Sequence, residues 1–600
     1  MTRFDLLDCR HSPLCGGCPL SDVSYPEQLA QKSRKLEAAL RAYPAFRELA
    51  LPPTEAAEPH AGYRLRAKLV ADGRALGLFA RGSHDVLDIP DCRVMSAPVA
   101  AAVAEVRAAL PFDFPLLGLD VREVDRGALV TLVVAPDVAR RKLELVAQEL
   151  LRTEAPIVGV SFSRRRPRAP QVLGSAPEHL AGVAHAEHHF APDLPFHFAT
   201  PGGFVQAHAG QTAKLHRRVT EVLASELHGL EGRRVLELYA GAGALALSLA
   251  RAGANVIAAD SYAPSLSQAR AAAEQQGLKL RVIEASAEDV IATESGVDAV
   301  IVDPPRKGLS TAVRRALAAH RPRIVIYVSC EPRTLARDLA HLAELGLVAR
   351  SVQPWDMIPQ SEAVEALAVL TPQKPNAPRV LFQDERLLAV EKPAYLPTTP
   401  QGEYGHSLLD AVRALDGASR AVPVHRLDLG TSGVCLFARA PDAVPALSEA
   451  LARGQKRYLA LVQGITHKQG RIERAINDGT GVRDALTHYE RQRVVGTHSL
   501  VCASPKTGRR HQIRRHFAGI GHPLLGDTRY GNPAANRHFE ERHGLDRPFL
   551  HLERIELVLD GQSVTLVSEL APELAAVLTS LAETEPRRSI ETKKAAPRRE

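Results

Sequence analysis

Between Thr371 and Arg379 the chain reads TPQKPNAPR, with three prolines in nine residues. No helix or central strand continues through such a stretch, because each proline lacks an amide donor and fixes φ. Its composition is that of a semi-rigid linker. Six hundred residues also exceed what one hydrophobic core organises. The chain is therefore read as multidomain, α/β before the break and α+β after it. The expected segments are a cysteine-bearing stretch 1–60, a β-rich domain 61–200, an α/β domain 201–371, the linker 372–379, a mixed-sheet domain 380–580 and a basic, disordered tail 581–600.

Hydrophobic content of 45% and charged content of 24% are those of a soluble globular protein. No apolar run reaches membrane-spanning length, and MTRFDLLDCRHSPLC lacks the apolar core of a signal peptide. The expectation is a cytoplasmic protein with no membrane partner and no obligate protein partner. Net charge is +7, of which Pro586–Glu600 contributes +4. The rest is mildly basic, which permits a nucleic-acid partner without requiring one.

Seven cysteines, an odd number with three crowded near the start, argue against a disulfide framework. Cys9-x5-Cys15-x2-Cys18 is a soft-ligand cluster, and Gly16-Gly17 lets the backbone fold tightly between two of them. Cys92, in DIPDCRV, is the candidate fourth ligand. Zinc and an iron–sulfur cluster are both open on spacing alone. Residues 26–43 have a helical period at Leu29, Leu36 and Leu40. They are expected to form a surface helix packing the cysteine region onto the next domain. RLRAKLVAD, ALGLFARGS, HDVLDIPDC, ALVTLVVAP and PIVGVSFS then read as strands. The run Ser163–Arg168 is either a solvated hairpin tip or a phosphate contact.

From Arg233 strand and helix alternate: RRVLELYA, the loop Gly241-Ala242-Gly243, ALALSLARAG, NVIAAD, KLRVIEA, VDAVIVD and RIVIYVS. This is a doubly wound sheet, with ligands expected at the carboxyl ends of its strands. A glycine loop after the first strand and Asp260 after the second suit a nucleotide-like cofactor. The missing third glycine favours S-adenosylmethionine over a dinucleotide.

Asp303-Pro304-Pro305-Arg306, then Ser329-Cys330-Glu331-Pro332-Arg333-Thr334-Leu335, then DMIPQSEAVE at 356–365, with Phe204 and Gln206 in GGFVQ, resemble the RNA uracil-C5 methyltransferases. The resemblance covers nearly all of 1–371 and is greatest to the branch that methylates 23S ribosomal RNA. It implies a thiolate, Cys330, that adds to C6 of uracil so that C5 becomes nucleophilic, and a base, Glu365, that removes the C5 proton. It places Gln206, Glu237, Gly241, Gly243, Asp260 and Asp303 around the methyl donor and uracil. It gives Phe204 a base to stack on, and makes Cys9, Cys15, Cys18 and Cys92 the ligands of a [4Fe-4S] cluster. The strand-to-helix turn at Cys330 is expected to depress the thiol pKa. The chain departs from the family at three places: Glu237-Leu238-Tyr239-Ala240-Gly241 where the family often has D-L-F-C-G, Ala285-Ser286 where an acid often contacts adenine, and Ala363 where a histidine often stands two places before Glu365. These departures motivate an alternative, in which the first half is mainly an RNA-binding module.

Beyond the linker, VHRLDLGTSG, QKRYLALVQG and GRRHQIRRHFAGIGHPLLGDTRYG resemble the RluA-type pseudouridine synthases over about 378–570, most of all the branch acting on uridine 65 of tRNA. That resemblance implies Asp428 as the catalytic carboxylate, Tyr458 stacked on the base, and Arg514 paired with Asp428. Arg426 would fill the flipped base's space or bind phosphate. Arg509, Arg510, His511 and Arg515 are expected to form a basic surface for RNA. No cofactor is implied here. Both reactions concern C5 of uridine, so their products exclude each other, and the two sites should serve different uridines in 23S rRNA, tRNA or both.

Overall fold

The computed structural model describes residues 6–12, 14–111, 113–167, 171–204, 206–373, 377–400, 407–477 and 481–584. The chain divides into two compact units, Met1–Lys374 and Pro375–Glu600. The middle of the expected linker, 374–376, and the tail from 585 onward lie outside the described residues, as does Arg168.

In the first unit a seven-stranded sheet occupies Arg66–Gly182. Taken in chain order, its strands lie 3-2-1-4-5-6-7 in space, and only the fifth and sixth are parallel. Leu119, Val121, Val130 and Leu132 form its core with Val99, Val103, Leu143 and Ala147 from two helices. Neither reading of the basic run survives at Arg164 and Arg165. The Arg164 guanidinium donates to the carbonyls of Pro136 and Val138, and the buried Arg165 donates to those of Leu117 and Gln171.

The second sheet is doubly wound. Its strands are β1 (Arg234–Leu238), β2 (Asn255–Asp260), β3 (Leu280–Glu284), β4 (Ala299–Val302), β5 (Ile324–Ser329), β6 (Leu347–Trp355) and β7 (Glu365–Pro372), in the order β3-β2-β1-β4-β5-β7-β6. The first five are parallel, while β7 inserts antiparallel between β5 and β6. Helices cover both faces, which is why most of these strands read as continuous apolar runs.

Helix α1 (Tyr25–Arg41) belongs to this second sheet and not to the neighbouring domain. Leu36 and Leu40 pack in one cluster with Leu335, Leu339 and Val352. Its buried face is Gln28, Lys32, Leu36 and Leu40, with Leu29 only half-buried. Hydrophobic periodicity missed this register because two of the four inward residues are polar. Each has a partner: Lys32 Nζ donates to Asp356 and to the carbonyl of Ile358, and Gln28 exchanges hydrogen bonds with Gln360.

The second unit is built on a ten-stranded mixed sheet. Its main path runs β8 (Val380–Gln383), β9 (Leu387–Lys392), β10 (Ser432–Ala438), β15 (Leu550–Leu559), β11 (Gln455–Val462), β14 (His498–Pro505), β13 (Leu486–Val495) and β12 (Gln469–Glu473). Only β10 and β15 pair in parallel. No described helix is long and apolar enough to cross a membrane.

Cleaving the chain between Gln373 and Arg379 should leave two pieces that each unfold cooperatively. Differential scanning calorimetry checks this, and a piece with no transition would contradict it. Lys32→Ala should remove about 3–5 kcal/mol from the first unit, because it leaves Asp356 buried without its cation. Urea titration should show the first transition moved and the second unchanged.

Candidate functional site

In the first unit the strand ends converge as the doubly wound topology requires. Ser329, the last residue of β5, pairs with Ala366 on β7. The next residue on each strand, Cys330 and Glu365, therefore stands at the same end of the antiparallel pair. Asp303 follows β4, beside β5, and accepts a hydrogen bond from Gln206 Nε2 at 3.4 Å. Phe204 is 65% exposed, which excludes core packing. After β1 the backbone turns through positive φ at Tyr239, Gly241 and Gly243. A Cβ at Gly241 would meet nothing within 4 Å, so the loop faces open space. The Asp260 carboxylate accepts from the backbone N–H of Gly241 (2.9 Å) and Tyr262 (2.8 Å). Glu237 is buried, with one carboxylate oxygen unpartnered.

The electrostatics of this pocket correct one expectation. Burial first, then the carboxylates of Glu365 and Asp303, push the Cys330 thiol up to about 12, and Arg306 only partly opposes them. The thiol is therefore protonated, not depressed as the strand-to-helix turn suggested. Burial, reinforced by Asp303, raises Glu365 to about 8, again with Arg306 opposing. Burial alone raises Asp303 to about 7. Glu237 is raised to about 8 by burial and then by Asp303 and Asp260, against a backbone N–H bond from Ala246.

In the second unit the loop Leu427–Thr431 carries Asp428 and is fixed from several sides. The fully buried Lys392 donates to the carbonyls of Pro393 (2.8 Å), Leu429 (3.3 Å) and Thr431 (2.9 Å). Tyr395 N–H donates to Leu429 O (2.7 Å), Thr398 Oγ1 donates to Leu427 O (3.3 Å), and Arg547 donates to Gly430 O (2.8 Å). Asp428 is thereby presented to a cavity of about 500 Å³, also lined by Arg426, Lys456, Tyr458, His511 and Arg514.

Arg514 does not pair primarily with Asp428. Two of its nitrogens grip the fully buried Asp527 at 2.7 Å each, and a third reaches Asp428 Oδ2 at 3.6 Å. A buried carboxylate demands the stronger pairing. Tyr458 is half-buried, and burial, then Asp428, raises its phenol, which keeps its proton. Arg426 and Arg510 are exposed. Arg509 and Arg515 each commit one donor to a backbone carbonyl, of Asp484 and Asn477. His511 turns inward to Asp428 and does not join the basic surface.

Residues 197–372 match the family described as tRNA (Uracil-5-)-methyltransferase, and residues 386–519 match RNA pseudouridylate synthase. An uncharacterized RNA methyltransferase of Thermosynechococcus vestitus is 31% identical over 382 residues, covering 61% of this chain and 84% of that protein. The 23S rRNA (uracil(1939)-C(5))-methyltransferase RlmD of Pseudomonas aeruginosa is 30% identical over 375 residues, covering 60% and 79%. The chain belongs to the RNA uracil-C5 methyltransferase family. Fused behind that methyltransferase is an RNA pseudouridine synthase domain, so one polypeptide carries two RNA-modifying enzymes. Among solved structures, the tRNA (uracil-54, C5)-methyltransferase of Pyrococcus abyssi in complex with S-adenosyl-L-homocysteine is similar, with 25% identity and a TM-score of 0.49 over 60% of this chain and 87% of that one.

The methyltransferase half fits S-adenosylmethionine. An unpartnered buried carboxylate oxygen on Glu237 suits an ammonium group, and Asp260 beside an open glycine loop suits ribose hydroxyls. Cys9, Cys15, Cys18 and Cys92 line one small pocket, with a cavity volume of about 20 Å³. Among the described residues, no three His, Cys, Asp or Glu side chains stand close enough together to hold a single metal ion. Sequence reading missed the roles of Arg306, Lys392 and Asp527. Arg306 and Asp527 stand in quoted motifs and Lys392 in none, and the contacts of all three are between distant residues and carry no local signal.

Methyl transfer measured as kcat/KM should climb as pH rises through 7 to 8, because the base works ionised. Arg306→Gln removes the cation that holds Glu365 and Cys330 down. It should lower the rate at pH 7 and move this limb to higher pH; an unmoved limb would show that Arg306 does not act on these groups.

Proposed function

We propose that the methyltransferase half methylates C5 of a uridine in 23S ribosomal RNA, and that the synthase half isomerises a different uridine, in tRNA or rRNA, to pseudouridine. The observation that carries the first part is the β5–β7 register, which sets Cys330 and Glu365 at one end of the same strand pair. It also favours catalysis over a purely RNA-binding role for this half. The ribosomal target rests on the RlmD relative.

The Cys330 sulfur adds to C6 of a uracil stacked on Phe204, and its proton passes to Asp303. The electrons freed from the C5–C6 double bond make C5 nucleophilic. S-Adenosylmethionine, when bound, supplies an electrophilic methyl group to C5, held through Glu237, Gly241, Gly243, Asp260 and Gln206. Glu365 then takes the C5 proton, the double bond re-forms, and the C6–S bond breaks with sulfur keeping its electron pair. Because the thiol is protonated in the free enzyme, acceptance of its proton by a neighbouring carboxylate is part of the addition step.

In the synthase half Asp428 acts on the flipped nucleotide, as nucleophile at C1′ or as base at C2′. Tyr458 stacks on the base, Arg514 faces the carboxylate, and Arg426, Arg509, Arg510 and Arg515 contact phosphate. For the four cysteines we favour a [4Fe-4S] cluster over zinc. All four donors are thiols lining one pocket, the soft-ligand set that such a cluster takes.

RNA incubated with methyl-labelled S-adenosylmethionine should take up label with the wild-type protein and none with Cys330→Ala. Uptake by that variant would refute the assignment of the nucleophile. Protein purified without air should be brown, with thiolate-to-iron charge-transfer absorption; a colourless protein with stoichiometric zinc would refute the cluster.

A further inference from the structure

His511 has a surrounding that a phosphate-binding surface residue does not need. It sits at the N-cap of α2 (Gln512–Gly519) with φ of 56°, a left-handed conformation that costs a non-glycine residue about 1–2 kcal/mol. That turn aims the imidazole inward. Nε2 lies 3.7 Å from Asp428 Oδ1, and Nδ1 lies 3.0 Å from the Tyr530 hydroxyl. The Tyr530 ring has the guanidinium of Arg514 over it at 5.1 Å and that of Arg529 at 5.5 Å.

These contacts select one tautomer. The Asp428 carboxylate can only accept, so the ring nitrogen facing it carries the proton, Nδ1 accepts and the Tyr530 hydroxyl donates. The imidazole is neutral at pH 7, since burial, together with Arg514, Arg510 and Arg529, outweighs the opposing pull of Asp428. Its one N–H is then on Nε2, which faces the carboxylate. The two oxygens of Asp428 thus face different donors, His511 on Oδ1 and Arg514 on Oδ2.

We propose that His511, held in its Nε2–H tautomer by Tyr530, is a positioning residue that fixes the orientation of the Asp428 carboxylate for pseudouridine formation. Arg514 cannot do this alone, because Asp527 already holds two of its nitrogens. The single contact it has left does not stop the carboxylate turning about its Cβ–Cγ bond. His511 is the second point that stops it. The inference rests on Asp428 being the catalytic carboxylate.

The test uses the full chain carrying Cys330→Ala, so that methylation does not also release tritium, and follows tritium release from [5-³H]uridine RNA. His511→Ala should lower kcat at least about tenfold with KM within about twofold. His511→Gln, whose amide nitrogen reaches the Nε2 position, should recover most of the rate. His511→Asn, whose amide reaches only the Nδ1 position, should not. Tyr530→Phe should lower kcat less than His511→Ala. A kcat for His511→Ala within about twofold of the parent would overturn the proposal. So would a raised KM at unchanged kcat, or equal rates for Gln and Asn. The Gln–Asn comparison decides even if the Ala variant unfolds. Asp428→Ala is run alongside: activity surviving there would remove the assignment of Asp428, separately from the question of what orients it.

Discussion

A buried ammonium has three protons to satisfy and no water to satisfy them. Each unit uses one such lysine to fix the segment that leads to its chemistry. In the first, Lys32 reaches from α1 to Asp356 and to the carbonyl of Ile358, clamping the start of the loop that ends at Glu365. Gln28 and Tyr25 add bonds to Gln360 and Asp356 from the same helix. In the second, Lys392 gathers the carbonyls of Leu429 and Thr431, in the turn that follows Asp428. The alternative for either lysine, burial without partners, costs several kcal/mol, so the loops are held by the stability of the units themselves.

The two sites solve opposite electrostatic problems. Around Cys330, three acidic groups crowd one cation, and burial raises all three. Such a pocket stores protons and can move them between neighbours, which a reaction that adds a thiol and later removes a C5 proton requires. Around Asp428 one carboxylate faces two donors within a basic rim, which under the proposed function would attract RNA phosphates and orient the acid. Isomerisation leaves the composition of the nucleotide unchanged, with one proton leaving C5 and another joining N1.

The strand–helix alternation from Arg233 onward made the doubly wound sheet legible in the sequence, and contiguous motifs pointed to the nucleophile, base and carboxylate proposed above. What was not legible depends on contacts between distant residues. Helix α1 was misplaced because its inward face includes Gln28 and Lys32, which periodicity counts as outward. Cys330 was expected to have a depressed pKa because local sequence shows the turn but neither the burial of the thiol nor the two carboxylates brought beside it. Arg514 was matched to Asp428, whereas Asp527, thirteen residues on, holds it more closely. His511 lay in a run of arginines, and only its left-handed backbone turns it inward.

The central claim is that one chain modifies two different uridines through two independent sites. Mass-spectrometric mapping of uridines in rRNA and tRNA, from a deletion strain carrying either Cys330→Ala or Asp428→Ala, tests it most directly. The account predicts that the first variant loses one 5-methyluridine and keeps every pseudouridine, and that the second loses pseudouridine and keeps the methyl mark. Loss of both marks in either variant, or of neither in both, would contradict it.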